Sequence, residues 1–358
     1  MTPHISVLID TYNHERYIEQ AIVSVLEQDF PADEMEIVVV DDGSTDSTPS
    51  IIEKFLPRIR YVRKKNGGQA SAFNAAIPEL SGSIVAFLDG DDWWVRQKLS
   101  AVVETFDANP EIAAVGHGFY EVRDIEPPRE MILPEKPCRL DLGSVDSARV
   151  ADSGITMLGT SRLSIRRAVL DRIGPLPEEL AFCADMPIIA LALALGGAII
   201  LDRPLCYYRL HARNMCAHDP TDQNRLHRNF EITDIFLKYI PKRLAELGIA
   251  DEVSSALLGS IRSELERLKA RYGGARWNVF RTELQRFQRY HQHPTPGYLV
   301  FEGLVSACAL LLPPPRFYQL LDWYGRNNFS RFRKMLGQAQ PKVPSAFFQR
   351  RPVAERDL

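Results

Sequence analysis

The sequence predicts an α/β fold, a mostly parallel central sheet flanked by helices, with a C-terminal helical appendage. Three observations predict it. From the start to about residue 116, short β-branched runs alternate with amphipathic stretches, and runs that are apolar at every position belong to strands covered on both faces. Several of these runs stop abruptly at polar loops, as strand tips do when they open onto a site. Beyond about residue 222 the strand signal gives way to helical periodicity.

The first strand is expected over Ile5–Ile9 and a helix over Tyr17–Gln28. Strand Glu36–Val40 leads to a helix over Pro49–Phe55, with Thr48 as its N-cap and Pro49 at a position whose N–H is not needed. Strand Ile59–Val62, helix Gln69–Leu80, strand Ser83–Leu88, helix Val95–Ala108 and strand Ile112–Val115 follow. Residues from about 120 to 152 carry Pro127, Pro128, Pro134 and Pro137 and read as an irregular surface excursion. Ile155–Ile165, a helix near Arg167–Ile173 and the apolar stretch Met186–Leu195 lead through Gly196 and Gly197 to a strand at Ala198–Leu201. Pro204–Asn214 then gathers aromatic and basic groups. In Asp251–Tyr272 the residues Val253, Leu257, Ile261, Leu265, Leu268 and Tyr272 recur at helical spacing, with Asp251 as cap and Gly273 as stop. The expected organisation is an α/β domain over 1–220, a helical region over 221–330 and a basic, partly disordered tail over 331–358. That tail sets seven Lys or Arg against Glu355 and Asp357, a local net of +5, which suits an anionic membrane face.

A chain of 358 residues buries a full α/β core with room for the appendage. Its net charge of -3 supplies no basic field, so nucleic acid is excluded as a partner. The five cysteines are scattered and never spaced Cys-x-x-Cys, which points to reduced thiols in a cytoplasmic setting. After Met1 no basic and apolar leader appears, and the same location is expected from that. Tyr298–Leu312 is interrupted by Glu302 and ends at Pro313, so it reads as a buried or interfacial helix rather than a spanning one.

The chemistry concentrates in Phe87-Leu88-Asp89-Gly90-Asp91-Asp92, an apolar strand ending in three carboxylates. Such acids repel one another and call for a cation or hydrogen-bond donors. A hard divalent metal with oxygen ligands is the simplest offset. Trp93 and the lack of a closing Glu exclude an EF-hand, and Cys206, His211, Cys216 and His218 fit no standard zinc spacing. Other strands run into Asp10-Thr11-Tyr12-Asn13, Asp41-Asp42-Gly43-Ser44 and Arg63-Lys64-Lys65-Asn66-Gly67-Gly68, and the four loops should meet at one sheet edge.

In order and spacing from residue 4 to about 215, this chain resembles the family 2 glycosyltransferases, inverting, nucleotide-sugar-dependent enzymes with the Rossmann-like GT-A fold. The resemblance rests on Ile5–Asn13, Val38–Asp46, Asn66–Asn74, Phe87–Trp93 and Ala184-Asp185 with Tyr207-Tyr208-Arg209-Leu210-His211. It implies that Thr11, Tyr12, Asn13, Asp41, Asn66, Gly67, Gln69, Asp89, Asp91 and Arg209 bind the donor nucleotide-sugar, most often UDP-linked. It further implies that Asp91, with His211, binds Mg²⁺ or Mn²⁺ between the phosphates, and that Asp185 is the general base. Asp152 and Glu179 are alternatives for the base, because Ala184 stands where the family is usually acidic; Asp10 stands where it commonly has proline. The implied activity is transfer of a single sugar to a hydroxyl of a glycan or lipid-linked acceptor in bacterial surface polysaccharide synthesis. The membrane helices and Gln-x-x-Arg-Trp element of processive synthases are missing from the sequence. Two readings from other classes are a noncatalytic nucleotide-sugar binding protein and a sugar nucleotidyltransferase, the latter disfavoured because Asp10–Asn13 is no Gly-rich triphosphate loop.

Overall fold

Parallel strands β1 (Ile5–Thr11), β2 (Met35–Asp41) and β4 (Ile84–Asp89) form the centre of the molecule, and β3 (Arg60–Arg63) closes one side. The computed structural model describes residues 3–123, 126–134, 136–141, 155–211, 214, 223–251, 254–255, 257–258, 262, 266, 269–270, 274–290, 296–326 and 348–351. Ile5, Val7, Leu8, Ile9, Val38, Val39, Val40, Phe87 and Leu88 are fully buried. Their strands have no wet face, which is why the sequence shows continuous rather than alternating apolar runs. Each such side chain contributes roughly 1.5–3 kcal/mol of burial.

Helices α1 (Ile18–Leu26), α2 (Thr48–Glu53), α3 (Gln69–Ala76) and α4 (Lys98–Ala108) cover this sheet. They lie where the periodicity put them, but α3 passes into a 3₁₀ turn at Ile77–Glu79 around Pro78. Thr48 is not the cap of α2. It is the first helical residue, and its N–H donates to Asp46 Oδ1 at 3.0 Å, so Asp46 caps this end.

The second half of the sheet departs more from expectation. Strand β6 (Ala114–Arg123) is far longer than the short strand at Ile112–Val115, and β7 (Glu126–Pro134) and β8 (Cys138–Leu140) occupy the segment read as irregular. Pro127 and Pro128 fall between the paired residues Glu126 and Glu130, where the β6–β7 register shifts and no ladder N–H is needed. Strand β9 (Ser164–Arg166) inserts antiparallel between β4 and β6. It is followed by α5 (Arg167–Ile173) and α6 (Asp185–Leu195). Strand β10 (Ala198–Leu210) does not stop at Leu201. It runs parallel to β6 through register shifts at Pro204 and pairs antiparallel with β5 (Trp93–Trp94), so the aromatic and basic group expected after the strand lies within it.

Helices α7 (Gln223–Glu246), α8 (Arg276–Tyr290), α9 (Pro296–Leu311) and α10 (Pro314–Arg326) form the C-terminal region. The described residues between Asp251 and Ala270 are helical, whereas Val253, Ile261, Leu265, Leu268, Tyr272 and Gly273 lie outside the described residues. Phe236, Ile240 and Leu244 of α7 join the main core, and Val279, Ala309, Phe317 and Tyr318 make a second, smaller one. Strand β11 (Phe348–Arg351) pairs with β7, adding a short strand within the basic tail; residues 331–347 and 352–358 lie outside the described residues. Among the described residues no helix is long and apolar enough to cross a membrane.

Candidate active site

Because β1, β2 and β4 are parallel, their carboxyl ends emerge at the same edge, with Asp10 in register with Asp89 and Thr11 with Asp41. The four polar loops meet there. Gly90 allows a close approach of the β4 loop to β1, since a Cβ on it would stand 2.7 Å from Thr11 Oγ1 and 3.0 Å from the Asp10 carbonyl. Gly68, at φ +87°, lets its loop pass where a Cβ would stand 2.5 Å from Ala181 Cα, bringing the segment before α6 against the strand tips.

Carboxylate oxygens of Asp89, Asp91 and Asp92 lie within 4.8 Å of one another. Burial, then the Asp91 charge, pushes Asp10 up to about 8 and Asp92 up to about 7. Asp89 is raised well above the ordinary range by burial and by the charges of Asp10 and Asp91. Asp91 is the exception: burial acts upward on it too, but the His211 hydrogen bond and the charges of His14 and His211 hold it low. His211 Nε2 lies 2.9 Å from Asp91 Oδ2, and His14 Nε2 lies 3.9 Å from the same oxygen. Asp10 Oδ1 is buried with no hydrogen-bond partner. Hard oxygen donors crowded together, one of them buried and unsatisfied, fit Mg²⁺ or Mn²⁺.

Asp185 opens α6, where a carboxylate favours the helix dipole, and its Oδ2 accepts the Thr160 N–H at 2.9 Å. Burial raises its pKa. Gln69 ties it to the acids: Nε2 donates to Asp89 Oδ1 at 3.1 Å, while Oε1 accepts the Ala184 N–H at 3.0 Å. Glu179 is exposed, and Asp152 lies outside the described residues.

The residues around Asp41 and Asp42 are arranged differently. Asp41 is buried, its oxygens accepting the Ser44 N–H at 2.8 Å and the Tyr61 hydroxyl at 2.9 Å. Asn66 Nδ2 and the Gly67 and Gly68 N–H groups all donate to Asp42, as does Lys64 Nζ at 2.7 Å. These groups close the loop, and Asp42 is the anion they hold. Asn13, at φ +56°, accepts the Thr45 N–H on its side chain, Thr11 Oγ1 lies 3.3 Å from His14 Nδ1, and Tyr12 is exposed.

Arg209 packs among aromatic rings beside Asp91. Its guanidinium lies between the rings of Tyr17 (4.6 Å) and Trp93 (4.5 Å), with Nε donating to the Asp91 carbonyl at 3.0 Å and Nη2 to Gln20 at 2.6 Å. Tyr17 also stacks on His211 at 5.0 Å, so a chain of flat groups props the imidazole against Asp91. Sequence reasoning missed Tyr17, His14, Asp10 and Ser161, whose hydroxyl donates to Asp92 at 2.6 Å. Only Asp10 left a signal: it closes its strand as Asp89 does.

A mostly parallel central sheet flanked by helices, with acids gathered at the carboxyl ends of its strands and a buried carboxylate in the first turn of α6, has the architecture of a GT-A glycosyltransferase. Residues 6–174 match the family described as Glycosyl transferase family 2. An uncharacterized glycosyltransferase of Nostoc sp. is 33% identical over 261 residues, 70% of this chain and 78% of the relative. The chain belongs to glycosyl transferase family 2. Staphylococcus aureus TarS, a poly(ribitol-phosphate) beta-N-acetylglucosaminyltransferase, is 37% identical over 106 residues, covering 28% of this chain and only 18% of TarS. The crystal structure of TarS 1–349 with UDP-GlcNAc superposes with a TM-score of 0.52 at 21% identity, covering 80% of this chain and 89% of that one. The Pyrobaculum calidifontis mannosyltransferase PcManGT with GDP-Man and Mn²⁺ gives a TM-score of 0.52 at 21% identity, covering 90% and 85%. The GT-A fold, mostly parallel and flanked by helices, is common to all three.

Proposed function

We propose that this glycosyltransferase moves one sugar from a UDP-linked donor to a hydroxyl of a glycan or lipid-linked acceptor with inversion, in surface polysaccharide synthesis. One observation carries the reading: Gln69 bridges the acid cluster and the segment that opens with Asp185, so the carboxylates proposed for metal and for base lie on either side of one side chain. The acceptor oxygen attacks the anomeric carbon, the bond from that carbon to the diphosphate oxygen breaks, and the acceptor proton passes to the Asp185 carboxylate. Burial raises the Asp185 pKa, which strengthens it as a base near neutral pH. Mg²⁺ or Mn²⁺, held by Asp91 with Asp89 and His211, would supply positive charge to the departing diphosphate. Thr11, Tyr12, Asn13 and Asp41 wall the nucleotide, with Asn66 and Gly67 shaping its loop through Asp42. Arg209 serves the site by fixing Asp91 rather than by touching phosphate. TarS supports the donor and acceptor classes, being named for N-acetylglucosaminyl transfer to poly(ribitol-phosphate) and solved with UDP-GlcNAc.

A nucleotide-sugar donor and the free thiols of Cys138, Cys206 and Cys308 suit a cytoplasmic location, and a lipid-linked acceptor would bring the C-terminal region to the membrane. The deciding experiment is transfer from UDP-sugars by wild type, Asp91→Asn and Asp185→Asn, with the product anomer assigned by NMR. Inverted product that both variants lose supports the reading. Undiminished turnover in Asp185→Asn, or retained configuration, ends it.

A further inference from the structure

Helix α9 turns two unlike sides to its surroundings. Val305, Cys308 and Ala309 pack with Val279, Phe317 and Tyr318 in the small C-terminal core. The opposite side carries Pro296, Leu299, Val300, Gly303, Leu304, Ala307, Leu310 and Leu311, all exposed and all apolar. Leu299 is 51% exposed, Val300 60%, Leu304 56% and Leu311 72%. These positions recur at intervals of three and four, so they form one stripe about 22 Å long rather than scattered surface residues. A contiguous apolar face of this kind is uncommon on a protein that meets only water.

Charge selects the occupant. Among the described side chains of α8, α9 and α10, which leave out Arg286, Arg289, Asp322 and Arg326, the exposed charged ones are Arg276, Arg281 and Arg316, while Glu283 is buried and Glu302 half-buried. A second copy docked face to face would set these arginines against their own counterparts. Anionic headgroups would pair with them. An apolar helical stripe, on a region whose described exposed charges are arginines, is the pattern of a helix lying in the interface of a bilayer.

We infer that the exposed side of α9 is a docking surface for an anionic lipid bilayer, with Leu299, Val300, Leu304 and Leu311 entering the acyl boundary and Arg276, Arg281 and Arg316 meeting headgroups. This deepens the membrane contact of the proposed function by naming the surface that makes it. It does not depend on the donor chemistry, since flotation is read without donor or acceptor and its failure leaves the transfer reaction standing.

The test is co-flotation of the full chain with phosphatidylglycerol/phosphatidylcholine vesicles, compared with Leu299→Gln/Leu304→Gln/Leu311→Gln and with Arg276→Gln/Arg281→Gln/Arg316→Gln. The three leucines are exposed, so circular dichroism and thermal midpoint should match wild type. The leucine variant is expected to lose at least tenfold in bound fraction, and the arginine variant to lose the preference for phosphatidylglycerol. Wild type that stays with the unbound fraction overturns the inference. So does a leucine variant that floats like wild type, which would assign binding to the basic tail. A wild-type dimer that fails to float and becomes monomeric in the leucine variant would assign the stripe to a second copy.

Discussion

Asp41-Asp42 and Asp91-Asp92 stand at the ends of parallel strands β2 and β4, on either side of β1, and look alike in the sequence, yet the fold surrounds them differently. Asp42 receives Lys64, Asn66, Gly67 and Gly68, and Asp41 receives Ser44 and Tyr61. Around Asp91-Asp92 the nearest groups include two more carboxylates, Asp10 and Asp89, and burial raises Asp10, Asp89 and Asp92. One pair is a hydrogen-bonded staple and the other a site short of positive charge. Residue type alone does not separate an acid held by a lysine and backbone donors from one crowded by other acids; the partners that the fold brings do.

The largest effects come from exchanging the roles. Asp91→Asn should reduce transfer by at least about 10³-fold, with little change in thermal midpoint. Asp42→Ala leaves the half-buried Lys64 and Gly68 donors and the exposed Asn66 and Gly67 donors without their acceptor and should cost about 1–2 kcal/mol in denaturant unfolding. If the first variant unfolds, or the second keeps full stability, the contrast fails.

Next comes pH. Folded Asp10 titrates near 8 against 3.8 for an ordinary carboxyl, and Asp92 near 7. A raised folded pKa gives stability that is complete below the unfolded value and lost as pH rises through the folded one. The metal-free protein should therefore lose stability between pH 5 and 8, by an amount on the order of 5 °C in midpoint. Mn²⁺ should restore more at pH 8 than at pH 5, since only ionised acids hold it. Asp10→Asn should flatten the metal-free curve, and a curve as steep as wild type would remove Asp10 from the cluster.

Smaller effects sharpen the margin of the site. Tyr17→Ala removes the ring between Arg209 and His211 and should weaken Mn²⁺ binding by about tenfold in calorimetry, whereas Tyr17→Phe should retain it. Lys98 is fully buried with its Nζ unpaired over Trp94, and burial holds its pKa well below the usual range. Lys98→Met should therefore stabilise the chain by about 1 kcal/mol in urea, with activity preserved.

Much of this was legible beforehand. The strands and helices of the first half follow from continuous apolar runs and helical spacing, which are local properties. Asp89, Asp91 and Asp185 stood out because acids at the end of an apolar strand, or at the start of an apolar helix, are locally conspicuous. The misses are nonlocal. Strand β7 was hidden because its prolines are tolerated only opposite a register shift in β6. The packing of Arg209 was hidden likewise, because nothing nearby in sequence reveals Tyr17 and Trp93 on either side of it.

The chain by itself determined the order of elements, the acid-bearing strand tips and the family to which they belong, since each is encoded within a dozen consecutive residues by side-chain size, polarity and spacing. Only the tertiary structure decided which acids find donors and which are left to one another. That outcome depends on partners 20 to 120 positions away, such as Tyr61 for Asp41 and His211 for Asp91, and strand register, rather than local propensity, brings them together.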